Sequence, residues 1–406
     1  MMFAKDRKLH DRIYPEFPSS EYEARNQKAK KSMEANGLQA ILVSEAKNVE
    51  YFTGCMTAIG PRVGIIPASG EPLLIVPAYL SGTAEKTSWV RNIERFSEGH
   101  LKKEQMGFVN LIVSALESMG LGRAKIGLEY PEDQQFSESG LHFTEYEYLR
   151  HSMDKASLVS GSKVIWSCRS VKSPLEIEQL EKAASIAMKG YSAARDQVKK
   201  GMSEIEIARI YRLVYVEEQA RLGHNTAELG NLNIRAGPER YAMADTFNQE
   251  RKIQNGDVVV MNCGAWFRRY FANFSRYAFV GKPSPKQTKG YEAIAESIQA
   301  FSDHLKPGVT AAEVHEPAIA PLKKSGVGES FDHTGIGVGL YIHEPPYIGA
   351  NRQEIMEPGN IFSFQSWLYD VKPGGMGVLG YEHEFLVTQK GCRPIVPLEK
   401  NHLWTI

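Results

Sequence analysis

Apolar positions along this chain fall into two regimes. In the first, short apolar runs alternate with amphipathic stretches. SEYEARNQKAKKSMEANG reads as a helix with Ser20 as cap and Gly37 as stop, followed by LQAILVS as a buried strand. VGIIPASG and EPLLIVPA read as two strands joined by a glycine-containing turn, then come a helix near Glu104–Met119 and the strand KIGLEY. A basic, polar stretch to about Ser160 closes this half. Strands alternating with helices predict an α/β domain, placed at residues 1–163, with residues 1–19 an arm lacking a core of its own.

A second regime opens near Val164 and defines a domain over residues 164–406. SPLEIEQLEKAASIAMKGYSAARDQVKKG reads as a long amphipathic helix capped by Ser173, with Pro174 at its first position and Gly201 at its end. MSEIEIARIYRLVYVEEQARLG is a second such helix; Lys289–His304 and Ala311–Lys324 are two more. Strand-like runs surround them: Leu232–Arg235, then HTGIGVGLYIHEPP, NIFSFQSWLY and LGYEHEFLVT. Helices grouped with antiparallel strands predict an α+β domain. The most informative stretch is GDVVVMNCGAWFRRYFANFSRYAFVG, Gly256 to Gly281, a hairpin of two buried strands. Asn262 and Asn273 end its apolar runs, and amides in such places need partners or a function.

Composition narrows the function classes. The chain has 406 residues, 42% hydrophobic and 24% charged, with 48 basic and 48 acidic side chains, enough for two domains with a core each. A formal charge of zero argues against general affinity for nucleic acid or an anionic membrane. Cys55, Cys168, Cys263 and Cys392 are scattered without a CxxC pair, which reads as reduced thiols. With no apolar leader and no run of the roughly 20 apolar residues a membrane span needs, a cytoplasmic protein is expected.

Five motifs appear in order: GD-VVVM-NCG, YFANFSR, GIGVGLYIHEPP, PGNIFSFQSW and GYEHEFLVT. Together they resemble the pita-bread family of creatinase, prolidase and methionine aminopeptidase. SEYEARNQKAKKSMEANGLQAILVSEAKNVEYFTG resembles the N-terminal domain of creatinase and prolidase, and CRSVKSPLEIEQLEKAA the family's junction. The resemblance implies an α/β N-terminal domain plus an α+β pita-bread domain. It also implies five metal-ligand positions, two Asp, one His and two Glu, which here hold Asn262, Asn273, Ile336, Gln365 and Glu382. Two divalent cations about 3.5 Å apart repel by roughly 19 kcal/mol at an effective dielectric near 20. One carboxylate does not offset that, so no dinuclear metal site and no cofactor are expected. Creatinase and the ectoine hydrolases resemble this chain in lacking the complete metal set.

That likeness leads to an expected function: metal-independent hydrolysis of a C–N bond in a small, carboxylate-bearing, nitrogen-rich compound. A metal-free lyase, a catalytically silent peptide- or protein-binding module and a true metallopeptidase, which would carry stoichiometric metal, are the alternatives. The expected catalytic groups are His343, which titrates near neutrality, and Glu382 and Asp245 as a carboxylate pair. Asp245 stands where creatinase has its catalytic histidine. His383 should point away from Glu382 along its strand. Asn262, Asn273 and Gln365 offer donors and acceptors to a ureido, amide or guanidino group. Tyr241 and Trp367 are candidate pocket walls; Ile336 and His333, in the glycine-rich segment, are further substrate-binding candidates, with His333 placed to substitute for a missing group. Arg62 matches a creatinase arginine that clamps a substrate carboxylate, with Ile59 as an apolar lid. The resemblance makes that loop reach a neighbouring active site, which implies a homodimer acting on a small-molecule substrate.

Overall fold

The apolar runs of the first regime become strands of one mixed sheet. The computed structural model describes residues 17–56, 60, 62–97, 106–129, 140–223, 232–243, 247–399 and 403–406, and divides the chain at Arg169/Ser170. In the first unit the strands are β1 (Ala40–Val43), β2 (Val63–Pro67), β3 (Leu73–Pro77), β4 (Asn92–Phe96), β5 (Lys125–Leu128) and β6 (Ser157–Ser160), in spatial order β4-β3-β2-β1-β5-β6. β2 and β3 form the expected hairpin, turning at Gly70, whose φ of +100° suits glycine. Helices α1 (Ser19–Ala35), α2 (Ala46–Thr53), α3 (Ser81–Thr87), α4 (Gly107–Ser118), α5 (Phe143–Ser152) and α6 (Ser162–Arg169) accompany the sheet. Ser20 lies inside α1, because Pro18 is already the last non-helical residue. Residues 98–105, where the start of the Glu104–Met119 helix was expected, lie outside the described residues.

Four helices of the second unit share one start. A Ser or Thr accepts from the backbone N–H three residues on, and the Glu or Gln there reaches back to the cap's own N–H. The pairs are Ser173/Glu176 for α7 (Pro174–Gln197), Ser203/Glu206 for α8 (Glu204–Arg221), Ser284/Gln287 for α9 (Pro285–His304) and Thr310/Glu313 for α10 (Ala311–Ser325). The Ser284-Pro285 start lengthens α9 by a turn beyond the Lys289 expected from its apolar spacing.

The remaining strands are β7 (Leu232–Ala236), β8 (Val258–Cys263), β9 (Ala265–Phe267), β10 (Tyr270–Ala272), β11 (Ser275–Phe279), β12 (His333–Gly337), β13 (Glu344–Gly349), β14 (Ile361–Asp370), β15 (Gly377–Val387) and β16 (Cys392–Pro394). Their main sheet runs β13-β12-β14-β15-β11-β8-β7, with β16 beside β15. The Gly256–Gly281 stretch is the expected hairpin: β8 and β11 pair from Ser275 with Asn262 to Phe279 with Val258, and β9/β10 form its tip. Side chains alternate along β14 and β15. Phe364 and Phe385 therefore pack against Phe301 of α9, with ring centroids 5.0 and 5.6 Å apart, while Gln365 and Glu382 project from the opposite face.

Candidate active site

Register places most of the polar candidates in two adjacent rows on one face of the second unit's sheet. Directly paired residues in an antiparallel sheet share a face. The first row runs Asn233–Asn262–Ser275–Glu382–Gln365 across β7, β8, β11, β15 and β14. The second runs Tyr347–Ile336–Ser363–Glu384 across β13, β12, β14 and β15. Asn273 joins the second row: its backbone N–H donates to Glu384 Oε1 (2.7 Å) and its Nδ2 to Ser363 Oγ (3.2 Å).

Glu382 is the hub of the first row. Its Oε1 accepts from Gln365 Nε2 (3.0 Å) and from Trp367 Nε1 (2.9 Å), and Gln365 Oε1 lies 2.8 Å from His333 Nε2. His343 lies close enough for the charge of His333 to act on it. Burial first, and that charge second, hold the His343 imidazole down at about 4, so it is neutral at pH 7. His333 is also lowered by burial. His343, His333, Gln365, Glu382 and Trp367 thus form one half-buried to buried cluster.

Other candidates fall elsewhere. Tyr241 is a core residue: its hydroxyl accepts from the Val258 N–H (2.6 Å) and its ring packs on Gly377. Ile336 is fully buried in the second row. Arg62 belongs to the first unit, where its Nη1 donates to Gly60 O (3.0 Å). Asp245 and Ile59 lie outside the described residues. His383 faces away from Glu382, between Arg276 Nη2 (3.1 Å) and Val396 O (2.9 Å).

Three participants were not singled out from sequence. Glu384 is fully buried, and loss of water pushes its carboxyl up to about 8, against the pull of the Asn273 N–H and of Lys172. Its place two residues beyond Glu382 on one strand was the available signal. Lys172 and Glu344 form a buried pair (3.5 Å), and Glu344 Oε1 accepts from the Tyr341 N–H (2.9 Å). This ties down the segment that carries His343. Gly339 leaves room for that carboxylate, since a Cβ there would lie 2.7 Å from Glu344 Oε2. The glycines of GIGVG therefore serve the chain's own packing.

Residues 178–389 match the model of metallopeptidase family M24, and residues 25–171 that of the creatinase/prolidase N-terminal domain. The chain belongs to metallopeptidase family M24. Among its relatives, an Xaa-Pro dipeptidase of Pyrococcus horikoshii is 27% identical over 92% of this chain and 98% of its own length. An Xaa-Pro dipeptidase of Lactobacillus helveticus is 30% identical over 88% and 93%. The solved prolidase from Pyrococcus horikoshii superposes with a TM-score of 0.77 at 25% identity, covering 94% of this chain and 100% of that one. Dipeptidase PepE from Mycobacterium ulcerans, at 24% identity, shares the fold with a TM-score of 0.81 over 96% and 99%.

These findings correct the functional expectation. Kinship to creatinase and the ectoine hydrolases, and with it metal-independent amidinohydrolase or amidohydrolase chemistry on a small non-peptide compound, gives way to kinship with Xaa-Pro dipeptidases. The expectation took substitutions at four site positions as the mark of a branch. Similarity over the whole scaffold, 27% of 381 and 30% of 365 residues, is to proteins named Xaa-Pro dipeptidase.

The family name implies metal, and the residues present do not fit a metal pair. Glu382 Oε1 is already occupied by two N–H donors, Asn273 Nδ2 points at Ser363, and Ile336 offers no donor atom. Glu384 brings a second carboxyl to the face, but it is predominantly protonated at pH 7 and adds little charge. Among the described residues no group of three or more His, Cys, Asp or Glu side chains is arranged to hold a metal ion.

Proposed function

We propose that the cluster around Glu382 is a short-peptide site of the Xaa-Pro kind, with the peptide C–N bond as the bond its polar groups face. The ligand class is carried by one observation: similarity over 92% and 88% of the chain to proteins named Xaa-Pro dipeptidase. The cluster supports it chemically. Gln365 and the two imidazoles supply donors and acceptors suited to a peptide's amide and its termini, and Trp367 adds an apolar ring beside them. These side chains bind and orient the peptide. That donor set favours, as a second reading of the same site, retention of the peptide with little turnover.

The test is calorimetry and product analysis on the purified full chain with alanyl-proline, glycyl-proline and a non-proline dipeptide, with and without Mn²⁺ or Co²⁺. Binding of the proline dipeptides is expected. Cleavage would identify a peptidase, and binding without cleavage the second reading. Failure of every short peptide to bind would remove the proposal. We further propose, from the resemblance, a cytoplasmic homodimer in which Arg62 meets the peptide carboxylate; no helix among the described residues is long and apolar enough to cross a membrane.

A further inference from the structure

The hydrogen-bond chain through Gln365 fixes more than position, because one of its members can act in only one sense. An indole Nε1 is a donor and never an acceptor. Trp367 Nε1, 2.9 Å from Glu382 Oε1, therefore marks that oxygen as an acceptor. With no hydrogen on Glu382 Oε1, the Gln365 carboxamide turns its NH₂ to the same oxygen, at 3.0 Å, which leaves its carbonyl toward His333. A carbonyl 2.8 Å from His333 Nε2 requires the hydrogen on Nε2. A neutral imidazole carries one N–H, so Nδ1 keeps its lone pair.

The ring plane is fixed as well. Phe331 stacks face to face on His333, with centroids 5.3 Å apart and planes 8° from parallel. His333 is half-buried, and its Nδ1 meets no hydrogen-bond partner among the described residues. Asp332 acts on His333 through space, and the charge of His333 acts in turn on His315 and His343. What results is an oriented acceptor, one hydrogen bond away from Gln365 and two from Glu382.

We propose that His333 is the cluster's fixed acceptor, its Nδ1 taking an N–H of the ligand's terminal ammonium, with Gln365 as the residue that positions it. This rests on the short-peptide reading above and names the atom that meets the peptide's amino end. Burial lowers the His333 imidazole from its ordinary range, the direction that favours an acceptor.

Nitrogen-15 spectra of the histidine-labelled full chain, together with peptide affinities, test it. The His333 signals, picked out among the 11 histidines by their loss in His333→Phe, should show hydrogen on Nε2 and an unprotonated Nδ1. Alanyl-proline should move the Nδ1 resonance. It should also bind about tenfold or more tighter than N-acetyl-alanyl-proline, as expected for a hydrogen bond to a charged group. That ratio should fall toward one in His333→Phe, which keeps a ring against Phe331. Gln365→Leu should populate the Nδ1–H tautomer, an effect that packing alone does not produce. Hydrogen on Nδ1 in the unaltered chain, an unmoved Nδ1 signal in the presence of bound alanyl-proline, or an undiminished ratio in His333→Phe would each overturn the inference. If no short peptide binds while Nε2–H is observed, the ligand class falls, and with it the occupant named here, but not the hydrogen-bond chain.

Discussion

At Glu384 one carboxyl oxygen accepts from the Asn273 N–H while the other, Oε2, is buried without a hydrogen-bond partner. The folded chain therefore holds the proton to about pH 8, whereas an unfolded glutamate loses it near pH 4.3. Between those values the folded state binds more protons than the unfolded one, so the group's contribution is full below about 4.3 and is lost as pH rises through about 8. The limiting slope is about 1.4 kcal/mol per pH unit. Glu384→Gln should flatten this dependence and leave the variant relatively more stable at pH 8.5 than at pH 5. Urea unfolding of both proteins at the two pH values measures it, and parallel profiles would refute it. The amides in the rows were legible in sequence because polar residues interrupt apolar runs. Glu384 was equally legible by alternation, but its neighbour Glu382 drew the functional reading to itself.

At the level of elements, the segment that leads into β13 is anchored from the start of the second unit. Lys172, just ahead of α7, donates its backbone N–H to nothing on that helix; it pairs instead with Gly359 O (2.9 Å), and its ammonium meets Glu344. Both side chains of this pair are almost wholly enclosed, at 2% and 1% exposure. Removing one partner takes the opposite charge away from the other inside the protein, so Lys172→Met should cost about 3–5 kcal/mol in chemical denaturation. Lys172→Met with Glu344→Gln should recover most of it; a loss below about 1 kcal/mol in the single variant would show that the pair does not hold the segment. Helix existence was readable from period and caps, because those signals are local. The pairing of Lys172 with Glu344 was not, since 171 residues of chain lie between them and nothing in either neighbourhood announces the other.

For the molecule as a whole, charge decides what the site retains. A cation bound to the folded chain alone stabilises it by about 4 kcal/mol at a thousandfold excess over its Kd. Mn²⁺, Co²⁺ or Zn²⁺ should give no such stabilisation here, and elemental analysis should find fewer than two transition-metal ions per chain. A melting temperature raised several degrees by any of them, and reversed by a chelator, would show that a metal pair is held after all. The two-domain architecture was legible because five motifs keep their order and spacing along the backbone. The branch was not, because a pocket of a few side chains says little about the ancestry of a scaffold this size.

The strands that supply Asn262, Asn273, Gln365 and Glu382 are joined by main-chain pairing that never consults those side chains. Asn and Asp, or Gln and Glu, differ by an NH₂ for an O⁻ at nearly constant shape. The scaffold is consequently blind to the exchange: a lineage can empty such a pocket of its negative charge, one atom at a time, and still fold as its ancestors did.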